Sequence, residues 1–229
     1  MTAHIPSPDL PIHGTVYGVL LNSHAEWQVS APLMTQAPYQ APPKAPVLYI
    51  KTANTWTLSD HAIAIPSPLS AVEIGATLGV VLSEQGALRG YVLLNDLSVP
   101  HSVAEQGFYR PPVKYKCIDG FLGVGAKLLP AVDLPEPNAV TLQVHINGEL
   151  RQTVQLAHMR RLLPELLADV SEFMTLQAGD VLMLGLDICQ EGPEAGRRPH
   201  AVVGDVVEIQ AHGVPGLGVL RHHLIGAVA

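Results

Sequence analysis

Apolar residues in this chain gather into short unbroken runs that stop at a glycine, asparagine, aspartate or lysine. Tyr91-Val92-Leu93-Leu94 ends in Asn95-Asp96, Pro46-Val47-Leu48-Tyr49-Ile50 ends in Lys51, and Gly14 to Asn22 reads as a strand entering a turn. Short apolar runs bounded by turn residues predict buried strands. Val140 to Ile146 instead alternates apolar with polar residues and meets Asn147-Gly148, beyond which Leu150, Val154 and Leu156 keep an approximate alternation. An Asn-Gly pair between alternating runs predicts a β-hairpin, because both residues tolerate the positive φ of its turn. Gly179-Asp180 and Gly204-Asp205 predict two more turns, each feeding a strand.

One stretch has helical spacing. Between Met159 and Met174, the residues Leu163, Leu166, Leu167, Val170, Phe173 and Met174 fall three and four apart and make one apolar stripe. Pro164 is tolerated only in the first turn, so this helix is expected to begin close to Leu163. Pro32 to Pro46, rich in Pro, Ala and Gln, reads as an extended connector.

Composition narrows the class without choosing a function. Hydrophobic residues make up 48% and charged residues 14% of 229 positions, which describes an ordered protein with a full core. Twenty Gly and twenty Pro suit many turns between short strands. A net charge of −7 with no basic stripe argues against nucleic acid as a partner. No apolar run reaches the roughly 18 residues of a membrane span, and Met1 to Gly14 has no signal-peptide pattern, so a cytoplasmic protein is expected. The two cysteines, Cys117 and Cys189, have no disulfide or zinc spacing.

The chemistry that stands out lies between Arg89 and Phe121. Asp96 closes a buried strand, and Lys114, Lys116 and Asp119 follow on the next loop beside Gly120. A carboxylate on a rigid strand and lysines beside it can hold an anionic substrate in an apolar cleft. No nucleophile elbow, zinc-protease motif or phosphate loop is present. Gly120, Gly123 and Gly125 read as a tight turn, Cys117 as a small buried side chain, and His222 and His223 as loop or surface residues, which on a strand would point to opposite faces.

In order and spacing, several segments together resemble the fumarylacetoacetate hydrolase family. They are Gly14-Thr15-Val16, Ala41-Pro42-Pro43-Lys44, Tyr49 to Thr55, Ile65-Pro66, Gly90 to Ser98, Phe108-Tyr109-Arg110-Pro111, Lys114 to Phe121, the Gly179-Asp180 strand and Gly204-Asp205-Val206-Val207. Within the family they look most like the N-terminal half of the bifunctional isomerase/decarboxylases of homoprotocatechuate (4-hydroxyphenylacetate) breakdown. The resemblance implies an α+β, predominantly β fold: a mixed β-roll with few peripheral helices, here one domain over residues 14–229 after a tail of residues 1–13. It also implies a divalent cation, magnesium or manganese, held by a Glu-x-Glu pair and an aspartate, and no organic cofactor. Such an ion chelates a 2-oxo acid and stabilises the enolate formed when a C–C or C–H bond breaks.

Carried over by position, Asp96 takes the place of the third metal ligand. Lys51, Lys116 and Asp119 take catalytic places, and Tyr109, Arg110 and Lys114 substrate-binding ones. Gly75 and Thr77 stand where the two glutamates belong, and Glu73 lies two residues before the first of them. A glycine and a threonine cannot hold a hard dication alongside one carboxylate. Gly185-Leu186-Asp187 replaces the family's Gly-Thr-Pro turn, with an aspartate expected to repel an anion. The family's His-x-x-Glu lid motif is not evident, and His101 and Glu105 read as solvated loop residues.

Two functions follow from the resemblance. One is an isomerase or decarboxylase of unsaturated 2-oxo dicarboxylates, acting on 2-hydroxyhepta-2,4-diene-1,7-dioate or on 5-oxopent-3-ene-1,2,5-tricarboxylate. The other is a non-catalytic subunit that pairs with a metal-competent homologous half. The expected assembly is a homodimer, or a hetero-complex with a C-terminal-type subunit.

Overall fold

A computed structural model describes residues 10–37, 40–100 and 112–227 of the chain. Strand is its main regular structure. The larger sheet runs in the order β2 (Val47–Lys51), β1 (Val16–Leu20), β12 (Val181–Met183), β6 (Ala76–Leu82), β7 (Leu88–Asp96), β8 (Leu122–Val124) and β3 (Trp56–Leu58), with β9 (Leu129–Pro130) also paired to β7. A second sheet has the order β11 (Glu149–Gln155), β10 (Thr141–Ile146), β14 (Val206–Ala211), β15 (Val219–Gly226) and β4 (Ile63–Ile65). A short ladder pairs β5 (Val72–Glu73) with β13 (His200–Ala201). Parallel and antiparallel pairs mix, as expected for a mixed roll.

The larger sheet is curled. Tyr49 on edge strand β2 and Asp96 on β7 are four strand steps apart, about 19 Å in a flat sheet at ~4.8 Å per step. Their side chains nevertheless meet, the Tyr49 hydroxyl 2.5 Å from Asp96 Oδ2. The two edge strands are joined in sequence by a single 3-10 turn, Ala53–Thr55, so the curl brings β2 and β3 toward closure.

Alternation then sorts residues between the two faces. Leu78, Val80, Tyr91 and Leu93 point outward and join Leu142, Val144, Ile209 and Leu220 of the second sheet in the main core. Val81, Val92, Leu94, Val181 and Met183 point into the curl, where Leu10 and Ile12 from the N-terminal segment pack against them. Gly75, Thr77 and Asp96 share that inner face. The mouth of the curl is therefore polar while its floor is a small apolar core.

The hairpin forms where the Asn-Gly pair predicts it, with φ of 52° at Asn147 and 80° at Gly148. Helix α3 (Leu163–Ser171) begins where Pro164 requires and buries Leu163, Leu166 and Val170. Phe173, assigned above to the same apolar stripe, lies beyond the helix end and is exposed. Two other elements differ from the sequence reading. The connector expected from Pro32 starts later, because α1 (His24–Met34) runs through Pro32, which sits in its last turn. His222 is fully buried on β15, while His223 points out to solvent. The opposite faces are as expected, but His222 belongs to the interior because alternation along β15 puts it on the core side.

Candidate functional site

The site is built on the end of β7. Its last residue, Asp96, is fully buried and pairs with two lysines, Lys116 Nζ at 2.5 Å from Oδ2 and Lys51 Nζ at 2.9 Å from Oδ1. Tyr49 donates its hydroxyl to the same Oδ2, and its ring lies under the Lys116 ammonium at 4.6 Å from centroid to Nζ. The ring can cross the sheet because its partner on β1 is Gly18, where any Cβ would collide with it. Lys116 ends the one-turn helix α2 (Pro112–Lys116).

The two lysines are held differently. Lys51 donates to the carbonyl oxygens of Leu97 (3.2 Å), Lys116 (2.5 Å) and Phe121 (2.7 Å). An ammonium has three protons, so Lys51 is saturated and its approach to Asp96 Oδ1 is a charge contact. It bolts β2 to the end of β7 and to the loop after α2. For the Lys116 ammonium, Asp96 is the one acceptor among the described residues. Two of its three protons are left for another partner.

Charge and burial set the ionisation of this group. Burial works against the Asp96 carboxylate, but Lys116 and Lys51 beside it hold its pKa well below the usual range. Burial lowers Lys116 to about 8; Asp96 opposes that shift, while Arg198 and Lys51 add to it. Burial and the neighbouring Asp96 both raise the Tyr49 phenol, which stays a donor.

A second ion group lies next to the first. Arg198 pairs with Glu26 in the first turn of α1 and, more loosely at 3.4 Å, with Glu73. Glu73 also accepts from the Ser98 hydroxyl at 3.0 Å. Burial opposes the Arg198 charge, but Glu26 and Glu73 more than restore it. Glu26, Arg198 and Tyr49 were not singled out in the sequence. Tyr49 sits inside an apolar run, and no motif marks Arg198 on its irregular segment.

Other candidate residues stand apart. Asp119 is exposed and accepts from the Asn54 side-chain amide at 2.6 Å rather than joining Asp96. Lys114 is exposed, with its ammonium 5.5 Å from the Tyr115 ring centroid. Tyr109, Arg110, His101 and Glu105 lie outside the described residues. Cys117, expected to be buried, is partly exposed and directs its thiol to the Ile50 carbonyl. Asp187, expected to face an anion, is turned away: it accepts from Ser23, the residue that caps α1, and from its neighbour's backbone N–H.

The residues present do not fit a divalent cation. Among the described residues no three His, Cys, Asp or Glu side chains converge as a metal group. A Cβ at Gly75 would lie 2.6 Å from the Asp96 carbonyl oxygen and 3.0 Å from Leu186 Cδ2, so a glutamate has no room there. The Thr77 hydroxyl is buried without a hydrogen-bond partner. Asp96 itself is taken by two ammonium groups. A dication about 4 Å from even one of them would be repelled by about 8 kcal/mol at an effective dielectric of about 20.

Comparison with known proteins places the fold and its kin. The chain is 34% identical over 213 residues to the 4-hydroxyphenylacetate degradation bifunctional isomerase/decarboxylase of Escherichia coli, covering 89% of this chain and 46% of that protein. The counterpart from Salmonella dublin is also 34% identical, over 214 residues and the same shares. The chain therefore spans about half the length of these curated relatives. Among solved structures, 2-hydroxyhepta-2,4-diene-1,7-dioate isomerase from Mycobacterium marinum superposes with a TM-score of 0.71 at 21% identity, over 96% of this chain and 78% of that one. That likeness speaks for the fold alone. Residues 15–225 match the family described as fumarylacetoacetate (FAA) hydrolase C-terminal, and this chain belongs to the fumarylacetoacetate hydrolase family.

Proposed function

We propose that this chain is an isomerase-type enzyme that converts an unsaturated 2-hydroxy dienedioate to its 2-oxo form, with 2-hydroxyhepta-2,4-diene-1,7-dioate as the substrate to test. The names of its relatives supply the reaction class, and the name of a structural neighbour supplies the substrate to test. The observation that carries the reading is the Lys116 ammonium, paired to Asp96 and backed by Tyr49, with two protons left to donate.

In ketonisation the enol O–H loses its proton, a C=O bond forms, and a carbon of the diene gains a proton as the double bond moves. Charge on the enolate oxygen rises in the transition state, and a desolvated ammonium aimed at it is worth more there than in water. A lysine titrating near 8 can also move a proton at neutral pH. Asp96, held ionised by two cations, is a poor base, so its task is to hold Lys116 in place. Decarboxylation of the preceding tricarboxylate would pass through a similar enolate and use the same ammonium.

The test is loss of the conjugated chromophore on adding purified chain to the dienedioate, with a Lys116→Met control. Turnover that disappears in the variant supports the reading. One observation motivates a second reading, the non-catalytic half: Gly75 and Thr77 stand where the family resemblance places acidic residues. No turnover alone, with turnover on adding a homologous half that carries the glutamates, would establish that reading instead.

A further inference from the structure

The geometry points to Lys116 as the resident cation of this site: its ammonium receives the substrate's enolate and carboxylate oxygens where relatives would place a divalent ion, and the chain takes up no such ion. The claim about the ion stands on the donor set alone. The claim about the substrate oxygens rests on the proposed function.

Proton counting selects Lys116 from the three cations gathered here. Lys51 is saturated by three carbonyl oxygens and its side chain is 0% exposed. Arg198 is held between the carboxylates of Glu26 and Glu73. Lys116 spends one proton on Asp96, is 8% exposed, and so keeps both donors and a route to an incoming oxygen. The Tyr49 ring below it fixes the ammonium through a cation–π contact, leaving the opposite side for a ligand.

Charge placement agrees. Asp96 neutralises one of two lysines, and the positive charge left on this trio is matched only beyond Arg198, by Glu26 and Glu73. A dication would meet two ammonium groups with a single shared carboxylate to hold it. Space agrees as well, since Leu186 is packed where a ligand side chain at position 75 would begin.

Two measurements on the full chain test this. Manganese(II) titration followed by electron paramagnetic resonance reports ion uptake without reference to activity. Calorimetry with oxalate, a planar mimic of a 2-oxo acid enolate, is run in EDTA and again in magnesium. The expected results are an undiminished free-manganese signal and oxalate affinity equal within about twofold in the two buffers. Affinity should fall more than about tenfold in Lys116→Met and survive largely in Lys116→Arg. Stoichiometric manganese uptake, or oxalate binding only with magnesium, overturns the inference, as does absence of oxalate binding in both buffers. Should Lys116→Met fail to fold, the wild-type measurements still decide. Oxalate binding without dienedioate turnover would sink the proposed function and leave this inference standing. Turnover that requires magnesium would do the reverse.

Discussion

Leu186 Cδ2 lies 3.0 Å from where a side chain at Gly75 would begin, so the apolar residue on one segment occupies the room that an acidic ligand would need on the other. Gly75→Ala is expected to destabilise the protein by about 1–3 kcal/mol through overpacking. Shortening the neighbour with Leu186→Ala in the same chain should recover part of the Gly75→Ala penalty, but not all, because the Asp96 carbonyl oxygen also stands 2.6 Å from the new Cβ. Urea unfolding of both single variants and the double one measures the coupling; simple additivity would show that Leu186 is not the obstacle.

The two lysines beside Asp96 should separate in the same assay. Lys51→Met takes a donor from three carbonyl oxygens, of which Phe121 O keeps the Leu97 N–H, and alters the ion group, a loss of about 3 kcal/mol or more. Lys116→Met removes one charge-assisted bond and leaves Asp96 paired with Lys51 and Tyr49, so it should cost less in stability and more in activity. Equal stability losses would refute the assignment of Lys51 as a structural bolt.

Strands β1, β2, β7, β12 and β14, the Asn147-Gly148 hairpin and the α3 start were legible in the sequence because each rests on a local signal: an apolar run closed by turn residues, a positive-φ pair, a proline limit. Asp96, Lys51 and Lys116 were legible through their place in a family pattern, and the structure brings all three together. What the sequence hid depends on the curl of the sheet. Tyr49 reaches Asp96 only because four strand steps close into an arc, and nothing in its apolar run marks that reach. Arg198 joins Glu26 across 172 positions, a pairing no local rule predicts. Helix α1 was hidden for a different reason: Pro32 reads as a breaker, and the Ser23 cap that starts the helix draws part of its support from distant Asp187.

That cap gives a third test. Ser23 accepts from the Glu26 N–H at 3.1 Å and donates to Asp187. Ser23→Ala should cost about 1–2 kcal/mol from the lost cap and should loosen Glu26, the partner of Arg198. A variant within a few tenths of a kcal/mol of wild type would mean that Asp187 and the cap are dispensable.

Acid should weaken the fold in two stages. Burial pushes His222 down to about 4, against the opposing effects of the His61 carbonyl that its Nδ1 meets at 2.8 Å and of Asp60. A carbonyl only accepts, so Nδ1 carries the proton of the neutral ring and Nε2 is left without a partner. Between the unfolded value near 6.5 and about 4 the unfolded chain binds the extra proton, so stability is full above this window and falls as pH drops through it. The loss at pH 5 relative to pH 7 should be about 2 kcal/mol, and His222→Gln should abolish that slope in denaturant titrations. Asp96, depressed in the fold, adds its own loss only below the usual carboxylate range.

The last prediction concerns the alkaline side of catalysis. Lys116 sits near 8, so a reaction that needs its ammonium should lose rate as pH rises through that value, by about tenfold for each unit beyond it. Arginine keeps its charge throughout this range. Lys116→Arg should therefore lower the maximal rate, because its donors fan out differently over Tyr49, yet hold whatever rate it keeps to pH 10. The comparison is kcat/KM for the dienedioate between pH 6 and 10 in both proteins. An alkaline limb unchanged by Lys116→Arg would assign the titration to another group. If the variant loses the limb but keeps oxalate affinity, Lys116 supplies charge and another group moves the proton. If it loses the limb together with nearly all activity, the same ammonium does both.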